Sequence, residues 1–154
     1  CGIGIPAYEF AKRGHRVTAC DIEGTGTFEF LQWRAKERAL EMTFHGSRGD
    51  VPHLGDAMYD VIVAMDSLEH ITAWPLVLRE LVAHLRPSGV LFCNNGVLDD
   101  HTHPEHKTSM TPAAFGHEIL DLGLMQINPI TYVVRPKVAE LETRKRVSLT
   151  GSHA

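Results

Sequence analysis

The sequence has little from which a disulfide scaffold, a zinc site or a membrane span could be built. Its three cysteines, Cys1, Cys20 and Cys93, are widely spaced. None forms a C-x-x-C pair, which removes the common zinc and thioredoxin-like patterns, and no metal site is assigned. An odd cysteine number at such spacing fits a reducing cytoplasm better than an oxidising compartment. No apolar run approaches the roughly 18 residues of a membrane-crossing helix, so no membrane partner is expected. Basic residues are outnumbered by acidic ones, 15 against 19, for a formal net charge of -4. Nucleic-acid binders usually carry a basic excess or stripe, so no nucleic-acid partner is expected either. G-x-S-x-G, H-E-x-x-H and G-x-x-x-x-G-K-[ST] are all missing, which removes the commonest hydrolase, zinc protease and P-loop readings.

What remains is an ordinary globular composition, 44% hydrophobic and 22% charged over 154 residues, a length that suits one domain. Strand-like and helix-like segments alternate. Residues 6–13 read as a short helix with Pro6 in its first turn and Gly14 as its stop. Residues 16–21 read as a strand, 27–40 as a helix and 42–46 as a strand. Tyr59 to Met65 (YDVIVAM) has the apolar, β-branched character of a fully buried strand. Trp74, Val77, Leu78, Leu81, Val82 and Leu85 form one stripe at helical period. Thr72 is the expected cap of that helix, and Arg86-Pro87-Ser88-Gly89 its expected stop. Residues 89–93 read as a buried strand, 95–110 as a polar loop, and 111–122 as a helix capped by Thr111 and stopped by Gly123. Residues 124–134 and 143–150 read as two final strands, paired antiparallel. Trp33 and Trp74 read as packing residues. This order predicts an α/β, doubly wound, Rossmann-like fold with a mostly parallel sheet. Such sheets bind ligands in the crevice at the carboxyl ends of their strands.

Two of those ends carry the expected chemistry. Cys1-Gly2-Ile3-Gly4 leads directly into the first helix, where glycines let the backbone turn tightly and approach a ligand. Asp21 ends the next strand, seventeen residues after Gly4, where a carboxylate can accept hydrogen bonds from ribose hydroxyls. Gly2, Gly4 and Ala7 also satisfy G-x-G-x-x-A, so a nicotinamide- or flavin-dependent oxidoreductase stands beside any other nucleotide-binding reading. The bland alternative is a loop turned by glycines next to a solvated strand end.

Further along, Gly49-Asp50-Val51, the stretch Tyr59 to His70 (YDVIVAMDSLEH) and Leu85-Arg86-Pro87-Ser88-Gly89 complete a pattern. Together with the glycine loop and Val17-Thr18-Ala19-Cys20-Asp21, these segments resemble the class I S-adenosylmethionine-dependent methyltransferases. Ser88 stands where that family commonly has a glycine. The resemblance implies a sheet with an antiparallel last strand and S-adenosyl-L-methionine as cofactor. It also implies a cofactor set of Gly2, Gly4, Asp21, Ile22, Asp50 and Val51; Asp66, just past the fourth strand, is placed with them near the methionine part or the acceptor, a role the resemblance does not fix. It covers residues 1 to about 95; beyond them only the order of elements agrees. The family's first strand and its acid have no counterpart here, so the expectation is a single domain over residues 1–154, incomplete at its N-terminus.

The turn at Asp66-Ser67-Leu68 is not of the Asn/Asp-Pro-Pro-Tyr/Phe kind, and with the acidic balance this favours a small-molecule acceptor. Its reactive atom and the oligomeric state stay open. His70, His101 and His103 are the candidate catalytic groups, since imidazole can act as a general base near neutral pH. His101, His103 and His106 allow three readings: a metal site, a loop contacting the acceptor, or a plain polar loop. A catalytically silent domain of the same fold that binds cofactor or a partner is the remaining alternative.

Overall fold

The computed structural model describes residues 1–49, 51–94 and 110–135. The chain begins with α1 (Ile5–Lys12), β1 (Val17–Ile22), α2 (Gly26–Glu37) and β2 (Met42–Ser47). Then come β3 (Tyr59–Ala64), a single turn at Leu68–His70, α3 (Trp74–Ala83) and β4 (Leu85–Cys93), and finally α4 (Pro112–Asp121), β5 (Leu124–Asn128) and β6 (Thr131–Val134). The expected α/β alternation is present. β1 pairs parallel with β2, and a second sheet has the order β3-β4-β6-β5, with β3 parallel to β4 and β6 antiparallel to β4.

Local chemistry accounts for the helix starts. Thr25, in extended backbone, accepts a hydrogen bond from the Phe28 N–H and caps α2. This places Phe28, Leu31 and Ala35 on one buried face. Thr111 caps α4 in the same way through the Ala114 N–H, with Pro112 at the first helical position. Replacing Thr25 by alanine leaves one helix-end N–H without its acceptor, so a loss of about 1 kcal/mol is expected in denaturant unfolding.

The apolar side chains gather in two places. The larger core joins Leu68, Trp74, Val77, Leu78, Leu91, Cys93, Phe115, Ile119, Leu124 and Tyr132. Phe115 lies between Trp74 and Tyr132, with ring centroids 6.1 and 5.8 Å away. Across the top of this core Arg79 on α3 forks onto Glu118 on α4, each of two guanidinium nitrogens meeting one carboxylate oxygen. Ala19, Phe28, Leu31 and Ala35 are buried as well but stand outside that cluster, under β1 and α2.

Several expectations are corrected. The fully buried strand at 59–65 is half open: Val61 and Val63 are 41% and 37% exposed. β3 is the first strand of its sheet and β1 the first of the other, so among the described residues each has one edge without a partner strand. Thr72 does not cap α3, whose N-cap is Ala73 with no side-chain bond. The helix ends at Ala83, and Leu85 already belongs to β4, because the Tyr59 N–H takes the His84 carbonyl and starts the ladder. Arg86-Pro87-Ser88-Gly89 is therefore a helix stop that has become an irregularity inside β4. Tyr59 pairs with Leu85 but Val61 with Val90, and Ser88 sits at φ 67. Glycine is required at 89, since a Cβ there would stand 2.8 Å from the Arg86 carbonyl oxygen. Residues 124–134 are a hairpin of two strands and not one strand, turning at Pro129. The strand expected at 143–150 lies outside the described residues. Trp33 is 55% exposed on α2 beside Phe30, and so is no core residue.

Candidate functional site

The loop before α1 turns with positive φ at both of its glycines, +53 at Gly2 and +67 at Gly4. Gly4 is the N-cap of α1. It packs so closely on α2 that a Cβ would lie 2.5 and 2.6 Å from the two methyl carbons of Leu31. The position thus combines a backbone that side chains resist with no room for one. Around Gly2, by contrast, a Cβ would meet nothing within 4 Å.

Asp21 reaches back to this loop from the end of β1. Its Oδ2 accepts the Gly2 N–H and a hydrogen of the Cys1 amino group, both at 2.7 Å, and its Oδ1 accepts the Ile22 N–H at 2.8 Å. Burial raises the pKa of this carboxyl, and the hydrogen bonds from the Ile22 and Gly2 N–H groups lower it. Next to it Ile22 holds an apolar side chain 59% in solvent. In the parallel register Ile22 stands beside Ser47. The Ser47 hydroxyl lies 2.6 Å from the Gly49 carbonyl and 3.3 Å from that of Val51, which folds the chain after β2 toward the same end. Arg48 and Glu23 close the two loops with an exposed ion pair at 2.6 Å.

Gly2, Gly4, Asp21, Ile22 and Val51 are thus brought to one end of the first sheet. Asp50 lies outside the described residues. Ser47, which shapes this loop, carried no motif that pointed to it.

A second group sits at the ends of β3 and β4. Asp66 has φ 47, a conformation uncommon for a non-glycine residue and one that concentrates at functional sites. Asn94, just past β4, holds it there. The Asp66 N–H donates to Asn94 Oδ1 at 2.8 Å, and the Asn94 amide donates back to the Asp66 carboxylate. The reciprocal pair spans 28 residues, so nothing local in the sequence announces Asn94. His70 is exposed on the single turn that follows Asp66. Glu69, its neighbour, is buried. Beneath it the Cys93 thiol is pushed up to about 12 by burial and by the Glu69 charge, so it is inert as a nucleophile near neutral pH. His101, His103 and His106 lie outside the described residues. Among the described residues no cluster of three or more His, Cys, Asp or Glu has metal-binding geometry.

The glycine loop, the acid at the end of β1 and the turn after β3 all fall inside one match. A family model described as a methyltransferase domain fits residues 1–93. The chain belongs to this family. The match takes in the stretch Tyr59 to His70 and the Leu85 to Gly89 stretch, neither of which a bare G-x-G-x-x-A reading explains. Among curated proteins, this methyltransferase domain is 34% identical over 93 residues to a ubiquinone biosynthesis O-methyltransferase of Vibrio vulnificus, covering 60% of this chain and 39% of that protein. It is 31% identical over 94 residues to the protein of the same name from Aeromonas salmonicida, again covering 60% of this chain and 39% of the relative. The chain therefore spans about two fifths of the length of these relatives.

Solved structures share the fold. Magnesium protoporphyrin IX methyltransferase from Synechocystis PCC 6803, with bound SAH, superposes with a TM-score of 0.65 at 18% identity, over 88% of this chain and 71% of that one. The 4+2 cyclase SpnF does so with a TM-score of 0.67 at 19% identity, over 83% of this chain and 49% of that one. A cyclase and a methyltransferase on the same framework show why function has to be argued from the site and not from the fold.

Proposed function

We propose that this methyltransferase domain binds S-adenosylmethionine and transfers its methyl group to a hydroxyl of a small molecule. One observation carries the cofactor half of the reading. Asp21 is fixed as an ionised acceptor at the end of β1, against the glycine loop and beside exposed Ile22. Oδ2 already accepts two bonds and Oδ1 one, so Oδ1 keeps acceptor capacity for a ribose hydroxyl. The open space at Gly2 leaves room for a ligand to approach the backbone. Ile22 offers an apolar surface to a flat ring, and Val51, with Asp50 from the sequence pattern, is assigned to the same half of the ligand. The clamp of Asp66 by Asn94 fixes the turn at the other half of the crevice.

The cofactor supplies a methyl group already activated on sulfur. The protein's share is orientation and electrostatics. The hydroxyl acceptor is supported by the name shared by the O-methyltransferase relatives, and the charge of -4 weighs against a nucleic acid. His70, together with His101 and His103, is assigned to the acceptor side as imidazoles near neutral pH. No helix among the described residues is long and apolar enough to cross a membrane. The widely spaced cysteines support a cytoplasmic setting.

Titration calorimetry tests the cofactor directly. S-adenosylhomocysteine should bind and NAD should not. Heat from NAD alone would sink the methyltransferase reading and restore the oxidoreductase one.

A further inference from the structure

Among the described residues, two buried side-chain oxygens have no hydrogen-bond partner, Tyr59 Oη and Glu69 Oε2. They are not equivalent. Tyr59 opens β3 at its amino end, where α/β sheets do not place ligands. Glu69 lies past the carboxyl end of β3, next to Cys93 at the end of β4, and is only 5% exposed. A side-chain oxygen buried in that setting is expensive to keep without a donor. Its charge is felt by the Cys93 thiol, which cannot donate effectively to it from a core of Leu68, Leu78 and Leu91. The neighbouring turn is held by Asp66 and Asn94.

Resting on the methyl-transfer reading above, we infer that Glu69 is a binding residue for the methyl acceptor, receiving an acceptor O–H on Oε2. The missing donor is then supplied by the ligand. A buried acceptor built for a hydroxyl also gives selectivity, since a ligand without that hydrogen leaves the carboxylate unpaired. The methyl ether product lacks the hydrogen, so Glu69 holds the substrate and releases the product.

The test compares phenol with anisole, its methyl ether, as probes, using chemical-shift titration on wild type and on Glu69→Met. Wild type should prefer phenol, and Glu69→Met should weaken phenol at least tenfold while leaving anisole unchanged. Methionine matches the volume and removes the unpartnered charge, so the melting temperature of the variant should stay level or rise. A structural role for Glu69 would instead lower it. Equal affinity of wild type for the two probes, an unchanged preference in Glu69→Met, or a lowered melting temperature would each overturn the inference. Calorimetry with S-adenosylhomocysteine on both proteins separates the two levels. Binding retained in both leaves the methyl-transfer reading intact whatever the phenol result, whereas no binding in wild type removes that reading itself.

Discussion

Asp21→Ala is expected to weaken binding of S-adenosylhomocysteine by about 10- to 100-fold. The figure follows from hydrogen bonds to a charged group, worth about 1.5–3 kcal/mol, at about 1.4 kcal/mol per tenfold in affinity. The loss has two sources. The carboxylate that faces the ligand disappears, and so does the anchor of Gly2 and Cys1, whose nitrogens both sit 2.7 Å from Oδ2. Asp21→Asn separates them, because an amide can still accept from Gly2 but carries no charge. An affinity unchanged in the folded Asp21→Ala protein would refute the assignment.

The largest stability effect is expected at Phe115. Truncation to alanine should cost about 3–5 kcal/mol, the usual range for an aromatic side chain lost from a core. The ring is 3% exposed and touches Trp74 on α3 and Tyr132 on β6, so its removal loosens three elements at once. Natural domains hold only about 5–15 kcal/mol in all, so the variant should unfold at clearly lower denaturant concentration. A shift of less than about 1 kcal/mol would mean that the site collapses around the gap or that the ring contributes little. Leu120→Ala on the same helix is the control, since Leu120 is 59% exposed.

The parts of this fold that were legible in the sequence are those set by neighbours in the chain. Thr111 followed by Pro112 announces the start of α4, and the stripe from Trp74 through Val82 announces α3. Gly2, Gly4 and Asp21 stand out because a tight loop and a strand-end acid are local patterns. Several of the failures share one cause, a partner far away. Leu85 continues the helical period of α3, yet the ladder begun by Tyr59 draws it into β4. Asn94 has meaning only opposite Asp66, and Ser47 only opposite the loop it closes. Glu69 was read as part of a motif, whereas among the described residues its Oε2 is buried without a donor, which no sequence pattern displays. Val61 and Val63 look like residues buried on both faces, but how much of a strand is covered depends on its neighbours in the sheet.

The division of the apolar side chains into two groups has a consequence for how the molecule opens. The larger group unites α3, α4 and the second sheet, while the glycine loop and Asp21 rest on the smaller one formed by Ala19, Phe28, Leu31 and Ala35. Regions with fewer apolar contacts exchange their amide hydrogens through smaller, cheaper openings. Amides of α1, β1 and α2 should therefore exchange ahead of those in β4 and α4. A ligand held at Asp21 and Gly2 suppresses those openings in proportion to its saturation. Protection on ligand addition should thus be concentrated in the first third of the chain, which makes that segment a built-in reporter of occupancy.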